Sequence, residues 1–188
     1  MKICVIQPPY PYKKEETDEN VKWIIAELAK CDEGCDLIVL PEYSNAGSVY
    51  TKEEFYSYVL KHTDELLVSC RETAKRCSAV LFVNGVFEFE GKMRNTTLCF
   101  NRQGEICGRY FKQHIPYNEK HIKCIDDSYV YEYDKPYVLE LEGIRYAFLT
   151  CYDFYFYEMF SHIAIQDVDI IIGCSHQRSD PHHILETI

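Results

Sequence analysis

The chain has 188 residues, of which 47% are hydrophobic and 14% aromatic, a composition typical of a folded globular protein rather than a disordered one. A formal net charge of −10 without a basic stripe argues against nucleic acid or a membrane as a partner. The sequence has no apolar run long enough to span a bilayer and no signal-peptide pattern. We therefore predict a cytoplasmic protein whose ten cysteines stay reduced.

The first part of the chain predicts two buried strands on either side of an amphipathic helix. Residues 2–7 form a short apolar run that ends at a Pro-Pro pair, which favours a buried strand. Apolar residues then recur at helical spacing from residue 21 to residue 28, behind an acidic first turn. Residues 37–40 predict a second buried strand, which stops at Pro41 and Glu42.

The middle of the chain predicts helical segments followed by closely spaced strands. Thr51 and Glu54 have the spacing of a capping box at the start of a helix, and residues 66–77 carry a second helical pattern. Strands are predicted at residues 79–87, 95–100 and 105–112, with a turn at residues 101–104.

The last part of the chain predicts strands at residues 137–141 and 144–149, a helix over 156–164 and a final strand at 169–172 that is covered on both faces. The resulting order, β-α-β-α-β-β-β-β-β-α-β, mixes crossovers with hairpins. We therefore predict an α/β fold in which two mixed sheets lie face to face between outer helices, an α-β-β-α sandwich. No repeat or linker divides the chain, so residues 1–188 are predicted to form a single domain.

The cysteine and histidine spacing does not predict a metal site. Cys31 and Cys35 are separated by three residues, and His121 and Cys124 by two. Neither pair has a well-spaced second pair, as a zinc site would require. We therefore predict neither a metal nor a cofactor.

Three polar residues terminate apolar strands in this prediction: Glu42, Lys112 and Cys151. Functional groups in layered α/β folds collect where strands end. Each residue alone has an ordinary alternative, namely a solvated glutamate, a lysine that extends its stem to water, or an inert buried cysteine. Together they supply the base, the cation and the nucleophile of an acyl-transfer reaction.

The segment around Cys151 predicts a strand, a sharp turn and a helix. Apolar residues 146–149 lead into the cysteine, and aromatic residues at helical spacing follow at once. A helix N-terminus and a nearby lysine favour thiolate over thiol, so we expect Cys151 to have a lowered pKa and to be the most reactive thiol of the chain. His114 and His121 are the rival bases, and we expect neither to contact Cys151.

Three ordered segments resemble the motifs of the nitrilase superfamily of carbon–nitrogen hydrolases. LPEYSNAG at residues 40–47 is similar to the glutamate motif, and GRYFKQHIP at residues 108–116 is similar to the lysine motif. CYDFYFYE at residues 151–158 is similar to the cysteine motif. The segment at residues 94–96 fits as well, so the resemblance covers nearly the whole chain.

The resemblance implies roles for particular residues. Cys151 would be the nucleophile, Glu42 the general base and Lys112 the cation of the oxyanion hole, which the backbone N–H of Tyr152 would complete. Glu119 matches a second glutamate of the amidase and N-carbamoyl amine hydrolase branches, with a solvated glutamate as the alternative. Further substrate contacts are predicted at Tyr43, Tyr155, Ser175 and His176.

The chain departs from the family pattern in two places. Tyr155 stands where many members have Arg or Trp, and Tyr157 stands where they have Pro. The family domain also continues beyond Ile188 with further strands and a helix. We therefore expect the C-terminal part of the domain to be missing here, with edge strands exposed.

The leading hypothesis is a cysteine-dependent hydrolase of non-peptide C–N bonds that acts through a thioester. Its substrate would be a small amide, an N-carbamoyl amine or, less readily, a nitrile. The second hypothesis is a catalytically inactive nitrilase-like domain that serves as a binding or assembly module. The aromatic helix at residues 155–166 predicts self-association into a homodimer or a higher homo-oligomer, which the resemblance also implies.

Overall fold

The computed structural model describes residues 1–10, 13–47, 51–128 and 136–176, and its elements follow the predicted order. The helices are α1 (Thr17–Lys30), α2 (Lys52–Cys77) and α3 (Tyr157–Ala164). The strands are β1 (Ile3–Val5), β2 (Leu37–Val39), β3 (Val80–Phe89), β4 (Lys92–Phe100), β5 (Ile106–Phe111), β6 (Val138–Leu141), β7 (Ile144–Thr150) and β8 (Ile170–Cys174).

The strands form two mixed sheets, as predicted. Sheet A has the order β1-β2-β3-β4-β5. Its first three strands are parallel, β4 is antiparallel to β3, and β5 is antiparallel to β4. Sheet B has the order β6-β7-β8, in which β7 is antiparallel to β6 and parallel to β8. The parallel neighbours are joined through a helix and the antiparallel neighbours through short turns, as the geometry of the two kinds of pair requires.

The two sheets pack face to face through an apolar layer. The Phe82 ring of sheet A lies 5.1 Å from the Tyr146 ring and 5.4 Å from the Phe148 ring of sheet B. Helices α1 and α2 cover the outer face of sheet A, and α3 covers sheet B through Met159 and Ile163. The architecture is therefore the predicted α-β-β-α sandwich.

The helix start at Thr51 and the helical pattern at residues 66–77 belong to one helix, α2, rather than to two. The Thr51 hydroxyl accepts a hydrogen bond from the Glu54 N–H (3.2 Å), and the Glu54 carboxylate accepts one from the Thr51 N–H (3.3 Å). This is the predicted capping box. Buried residues recur along the whole helix from Phe55 to Cys77, so a continuous apolar stripe joins the two patterns.

The outermost strands are more exposed than predicted. Of residues 2–7 only Ile3–Val5 form a strand, and the side chains of Ile3 and Val5 are 51% and 68% exposed. In β8, Ile171 is 46% exposed, so the prediction of a final strand covered on both faces is wrong. The reason is that β1 and β8 lie at sheet edges, where no described element covers these side chains. No helix within the described ranges is long and apolar enough to cross a membrane.

Candidate active site

The three candidate catalytic residues stand at the ends of strands from both sheets. Glu42 lies in the loop after β2, and Lys112 directly follows β5 in the same sheet. Cys151 directly follows β7 in sheet B. Because the residues come from different sheets, it is the packing of the sheets that assembles the site.

Lys112 lies between two carboxyl groups. Its Nζ is 2.8 Å from Glu42 Oε1 and 2.7 Å from Glu119 Oε1. The Lys112 side chain is fully buried, so the alternative in which it extends to water is wrong. Glu119 is also buried, in a π-helical turn at Asn118–Ile122, and is therefore not a solvated loop residue. Isolated π-helical turns are frequent at functional sites.

Asn95 connects the two carboxyl groups. Its Nδ2 is 2.9 Å from Glu42 Oε1 and 3.3 Å from Glu119 Oε2. The Asn95 Oδ1 accepts a hydrogen bond from Asn84 Nδ2 (3.0 Å), which turns the Asn95 amide so that its NH₂ group faces the carboxyl groups. The backbone N–H of His176 donates to Glu42 Oε2 (3.0 Å). Both Glu42 oxygens are therefore held, and the carboxylate has one orientation.

The charges of the site follow from these contacts. Burial alone would raise the pKa of Glu42, but the Lys112 ammonium and the Asn95 amide hold that pKa below its ordinary value. Burial alone would lower the pKa of Lys112, but the charges of Glu42 and Glu119 raise it. Burial raises the pKa of Glu119, and the Glu42 charge adds to this although Lys112 opposes it. At neutral pH Glu42 is thus an ionised carboxylate beside a protonated lysine.

Cys151 is a neutral thiol in this arrangement. Its thiol lies near enough to the Glu42 carboxylate for each group to affect the pKa of the other. Burial and the Glu42 charge raise the pKa of Cys151 to about 12, and Lys112 offsets this only in part. The expectation of a lowered pKa is therefore wrong, because burial and the nearby Glu42 carboxylate together outweigh the Lys112 ammonium. A thiol beside an ionised carboxylate suits proton transfer during nucleophilic attack rather than before it.

The turn at Cys151 differs from the predicted one. A short 3-10 turn, Cys151–Tyr155, follows the strand, and α3 begins only at Tyr157. The backbone of Cys151 is left-handed (φ 46°), a conformation that is uncommon outside glycine and that clusters at functional sites. The Tyr152 N–H lies in the first turn, where no earlier carbonyl of the turn is available to it. This position is compatible with its predicted place in an oxyanion hole.

Asp153 holds the turn in place. Its buried carboxylate accepts hydrogen bonds from the N–H of Thr150 and the hydroxyl of Tyr110, both at 2.8 Å. It also accepts one from the His114 N–H (2.8 Å), and the His114 Nδ1 lies 2.9 Å away. The His114 ring in turn stacks on Phe156, with the centroids 3.4 Å apart. His114, one of the rival bases, is thus part of the support for the turn.

A cavity of about 340 Å³ reaches the thiol, and both glutamates line it. Of the predicted substrate contacts, Tyr43 and His176 also line this cavity. Ser175 lies close enough to the thiol to lower its pKa. Tyr155 is placed differently, because its half-exposed ring packs against Tyr152, with the centroids 5.5 Å apart, outside the cavity wall.

Lys123 contributes an ammonium group to the cavity wall. Its Nζ lies 4.1 Å from the centroid of the Tyr43 ring and 4.9 Å from that of Phe55. Its charge opposes the rise in the pKa of Glu119. The site therefore pairs two carboxyl groups with two ammonium groups, although the chain as a whole is strongly acidic.

Four residues of the site were not among the predicted candidates: Asn84, Asn95, Asp153 and Lys123. Asn84 and Asn95 lie in strands and are fully buried, and a buried amide requires partners. An asparagine within an apolar run such as residues 80–87 was therefore an available signal. Nothing in the local sequence marked Lys123. The other rival base, His121, packs against Tyr117, with the centroids 4.5 Å apart.

The fold defines the chain as a nitrilase-like α-β-β-α sandwich. An amidase from Nesterenkonia sp. matches it with a TM-score of 0.76 at 21% identity, over 98% of this chain and 68% of the amidase. A glutamine-dependent NAD⁺ synthetase from Acinetobacter baumannii matches with a TM-score of 0.72 at 19% identity, over 97% of this chain and 34% of the synthetase. The sequence model of the family "Carbon-nitrogen hydrolase" matches residues 2–187. The chain belongs to the carbon–nitrogen hydrolase family.

Two curated relatives match this chain over only part of their own length. "Nitrilase homolog 2" from Dictyostelium discoideum is 34% identical over 105 residues, which is 54% of this chain and 31% of the relative. "Nitrilase" from Pyrococcus abyssi is 26% identical over 169 residues, which is 89% of this chain and 59% of the relative. The chain thus spans less than two thirds of the length of either relative.

Proposed function

We propose that the chain carries the acyl-transfer site of a cysteine-dependent hydrolase that cleaves non-peptide C–N bonds in small amides or N-carbamoyl amines. One observation carries the proposal: the Cys151 thiol and Glu42 line the same cavity, and the Lys112 ammonium contacts the Glu42 carboxylate at 2.8 Å. The cavity of about 340 Å³ beside them is within the range of small-molecule sites.

The first half of the reaction forms a thioester. The Cys151 sulfur attacks the carbonyl carbon while Glu42 takes the thiol proton, and the carbonyl oxygen becomes an oxyanion. Lys112 and the Tyr152 N–H stabilise that oxyanion. When the tetrahedral intermediate collapses, the C–N bond breaks and Glu42 passes its proton to the leaving nitrogen, so the amine departs and the acyl group stays on sulfur.

The second half consumes one water molecule. Glu42, again a carboxylate, takes a proton from water as the water oxygen attacks the thioester carbon. The C–S bond then breaks, and the proton on Glu42 returns to the sulfur, which restores the neutral thiol. Glu119 keeps Lys112 in position through its 2.7 Å contact.

Family membership and the fold that the chain shares with an amidase support this class of reaction. The buried position of Glu119 against Lys112 supports the amide and N-carbamoyl substrates over nitriles, because Glu119 matches the glutamate of those branches in the resemblance. The lowered pKa of Glu42 also supports a hydrolytic reaction, since the ionised carboxylate is available as a base at neutral pH.

The test measures ammonia release by the full chain from a panel of short amides, N-carbamoyl amines and nitriles. Intact-mass spectrometry during turnover detects the acyl group on Cys151. We expect Cys151→Ala to abolish both signals, and Glu42→Gln to lower turnover by about a hundredfold or more. Glu88→Gln, at an exposed position of β3, is the matched control and should keep wild-type turnover.

Two results would count against the proposal. One is the absence of both ammonia release and an acyl adduct across the whole panel with correctly folded protein, which would favour the binding or assembly module. The other is turnover that survives Cys151→Ala, which would show that another nucleophile does the chemistry.

A further inference from the structure

Cysteine side chains from three separate segments meet in the core between sheet A and its helices. Cys4 lies in β1, Cys31 directly follows α1, and Cys35 precedes β2. Cys31 and Cys35 are buried in the same apolar cluster, and Cys4 packs against that cluster. None of the three belongs to the candidate active site, whose three catalytic candidates lie after the strands.

The three sulfur atoms are close enough to share one metal ion. They all lie within 4.8 Å of one another, and the sulfurs of Cys4 and Cys31 are 3.7 Å apart. A tetrahedral zinc ion with Zn–S bonds of about 2.3 Å holds two sulfur ligands about 3.8 Å apart. All three residues are free thiols. The spacing therefore needs only small side-chain movements to match that of a zinc centre.

A cavity gives an ion access to the cluster, and Arg76 holds the backbone beside it. A cavity of about 520 Å³ is lined by residues that include all three cysteines, so an ion and a water molecule can reach the sulfurs. Arg76 donates to the carbonyl oxygens of Cys31 (2.5 Å) and Leu28 (2.9 Å) and fixes the backbone that carries Cys31. The guanidinium group thereby lies next to the backbone of Cys31.

A metal ion binds the thiolate form of cysteine. Burial and the hydrogen bond with Cys4 raise the pKa of Cys31 to about 12. A metal ion must therefore displace protons when it binds, and its affinity should rise with pH. Without a metal, only weak thiol hydrogen bonds hold the three side chains together.

We propose that Cys4, Cys31 and Cys35 form a binding site for a thiophilic metal ion of the Zn²⁺ type, with water from the adjoining cavity in the fourth position. The sequence expectation of no metal site rested on the missing partner for the Cys31–Cys35 pair, and the fold supplies that partner from β1. Because β1 is a three-residue edge strand, such a site would tie it to α1 and to the segment before β2.

The test titrates Zn²⁺ into the reduced full chain that carries Cys151→Ala, so that the active-site thiol does not compete for the ion. A chromophoric chelator reports free Zn²⁺. We expect one equivalent per chain, with proton release on binding and affinity that increases with pH. Cys4→Ser and Cys35→Ser should each weaken binding by at least about tenfold, the scale that even supporting residues of metal sites reach.

Two variants serve as matched controls. Cys70→Ser removes a buried thiol from the same apolar cluster but outside the trio, and Cys124→Ser removes an exposed one. Both should bind Zn²⁺ like the parent. Circular dichroism of each variant without metal shows that it is folded, and the half-buried position of Cys4 makes Cys4→Ser the best tolerated of the ligand variants.

The absorption spectrum of bound Co²⁺ provides an independent test of the coordination. The proposal expects thiolate-to-cobalt charge transfer in the near ultraviolet and intense visible bands of tetrahedral coordination, both reduced in Cys4→Ser. The proposal is overturned if the folded, reduced chain binds less than half an equivalent of Zn²⁺. It is also overturned if Cys4→Ser and Cys35→Ser bind the ion as tightly as the two controls.

Discussion

At the residue scale, the reactivity of Cys151 is set by its burial and by the charged groups around its sulfur. Burial and the Glu42 carboxylate raise its pKa, and the Lys112 ammonium lowers it. The nucleophile therefore gains its negative charge only as Glu42 removes the proton. The exposed Cys107 is a competitor for simple alkylating reagents, because its hydrogen bond with Cys99 lowers its pKa. A thiol at a candidate active site is thus not automatically the most acidic one.

The first prediction concerns the pH dependence of Cys151 alkylation by iodoacetamide. In a Cys107→Ser, Cys124→Ser background, the rate at Cys151 should rise with pH through the ordinary thiol value of 9.0 without a plateau, because the pKa is about 12. Glu42→Gln removes a negative neighbour and should shift the profile to lower pH, whereas Lys112→Met should shift it higher. Peptide mapping by mass spectrometry measures the rates, and a wild-type plateau below pH 9.0 would show a resting thiolate instead.

The second prediction concerns Lys112. Lys112→Ala and Lys112→Arg should each lower turnover by about a hundred- to a thousandfold, because an oxyanion donor is lost or misplaced. Since Lys112 is fully buried between Glu42 and Glu119, the alanine variant should also lower the free energy of unfolding by about 3–5 kcal/mol. Urea unfolding and steady-state kinetics measure the two effects.

Lys92→Ala is the matched control for Lys112, because Lys92 pairs with Asp126 at the surface. It should change the free energy of unfolding by less than about 1 kcal/mol. Undiminished turnover in Lys112→Arg would reject the oxyanion role, even if Cys151 proved essential.

At the scale of elements, the turn after β7 depends on one carboxylate. Asp153 accepts hydrogen bonds from groups on β5, on the loop after β5 and on β7, so it ties the cysteine turn of sheet B to the lysine segment of sheet A. The left-handed backbone at Cys151 is a strained conformation that such contacts offset. The position of the nucleophile is therefore a property of two segments that are distant in sequence.

The third prediction follows from that role. Asp153→Ala removes the acceptor of three buried hydrogen bonds and should lower the free energy of unfolding by about 3 kcal/mol or more. It should also lower kcat more than it raises KM, because the thiol loses its place relative to Glu42. Asp64→Ala, at an exposed position of α2, should change stability by less than about 0.5 kcal/mol. A folded Asp153→Ala variant with wild-type kcat would contradict the positioning role.

At the scale of the whole molecule, several large apolar side chains in and beside α3 are exposed. The exposed side chains near α3 are Tyr155 in the turn before it, Tyr157 at its start and Ile165 just after its end, and Tyr157 is 79% exposed. Large aromatic side chains beyond those that face the core are typical of interfaces. Self-association through this helix, expected from the sequence, therefore remains a proposal that the surface supports.

The fourth prediction tests this surface. The protein should have at least a dimeric mass by light scattering at micromolar concentration, and Tyr157→Lys should shift it toward the monomer by placing a charge in the contact. Leu60→Lys, on the exposed face of α2, is the control and should leave the mass unchanged. A wild-type protein that is monomeric under these conditions would contradict the proposal.

The sequence by itself determined the order of strands and helices and the family. The spacing of apolar residues distinguishes a strand from a helix, and particular residue types mark the turns. Neighbouring residues therefore suffice to identify each element. The three motifs are likewise local, since each lies within a run of fewer than ten residues. Local patterns failed where coverage depends on distant elements, as at Ile171 in β8, which has the pattern of a buried strand residue and is exposed.

Only the tertiary structure decided the charge state of Cys151, the supporting roles of Asn95 and Asp153, and the meeting of Cys4 with Cys31 and Cys35. A pKa depends on burial and on charges within a few ångströms, and those charges come from residues tens of positions away. Helical spacing after a cysteine predicts a stabilised thiolate, but it contains nothing about the carboxylate that the other sheet brings into contact. Interactions between sheets outweigh local ones here because burial removes the water that would otherwise screen them.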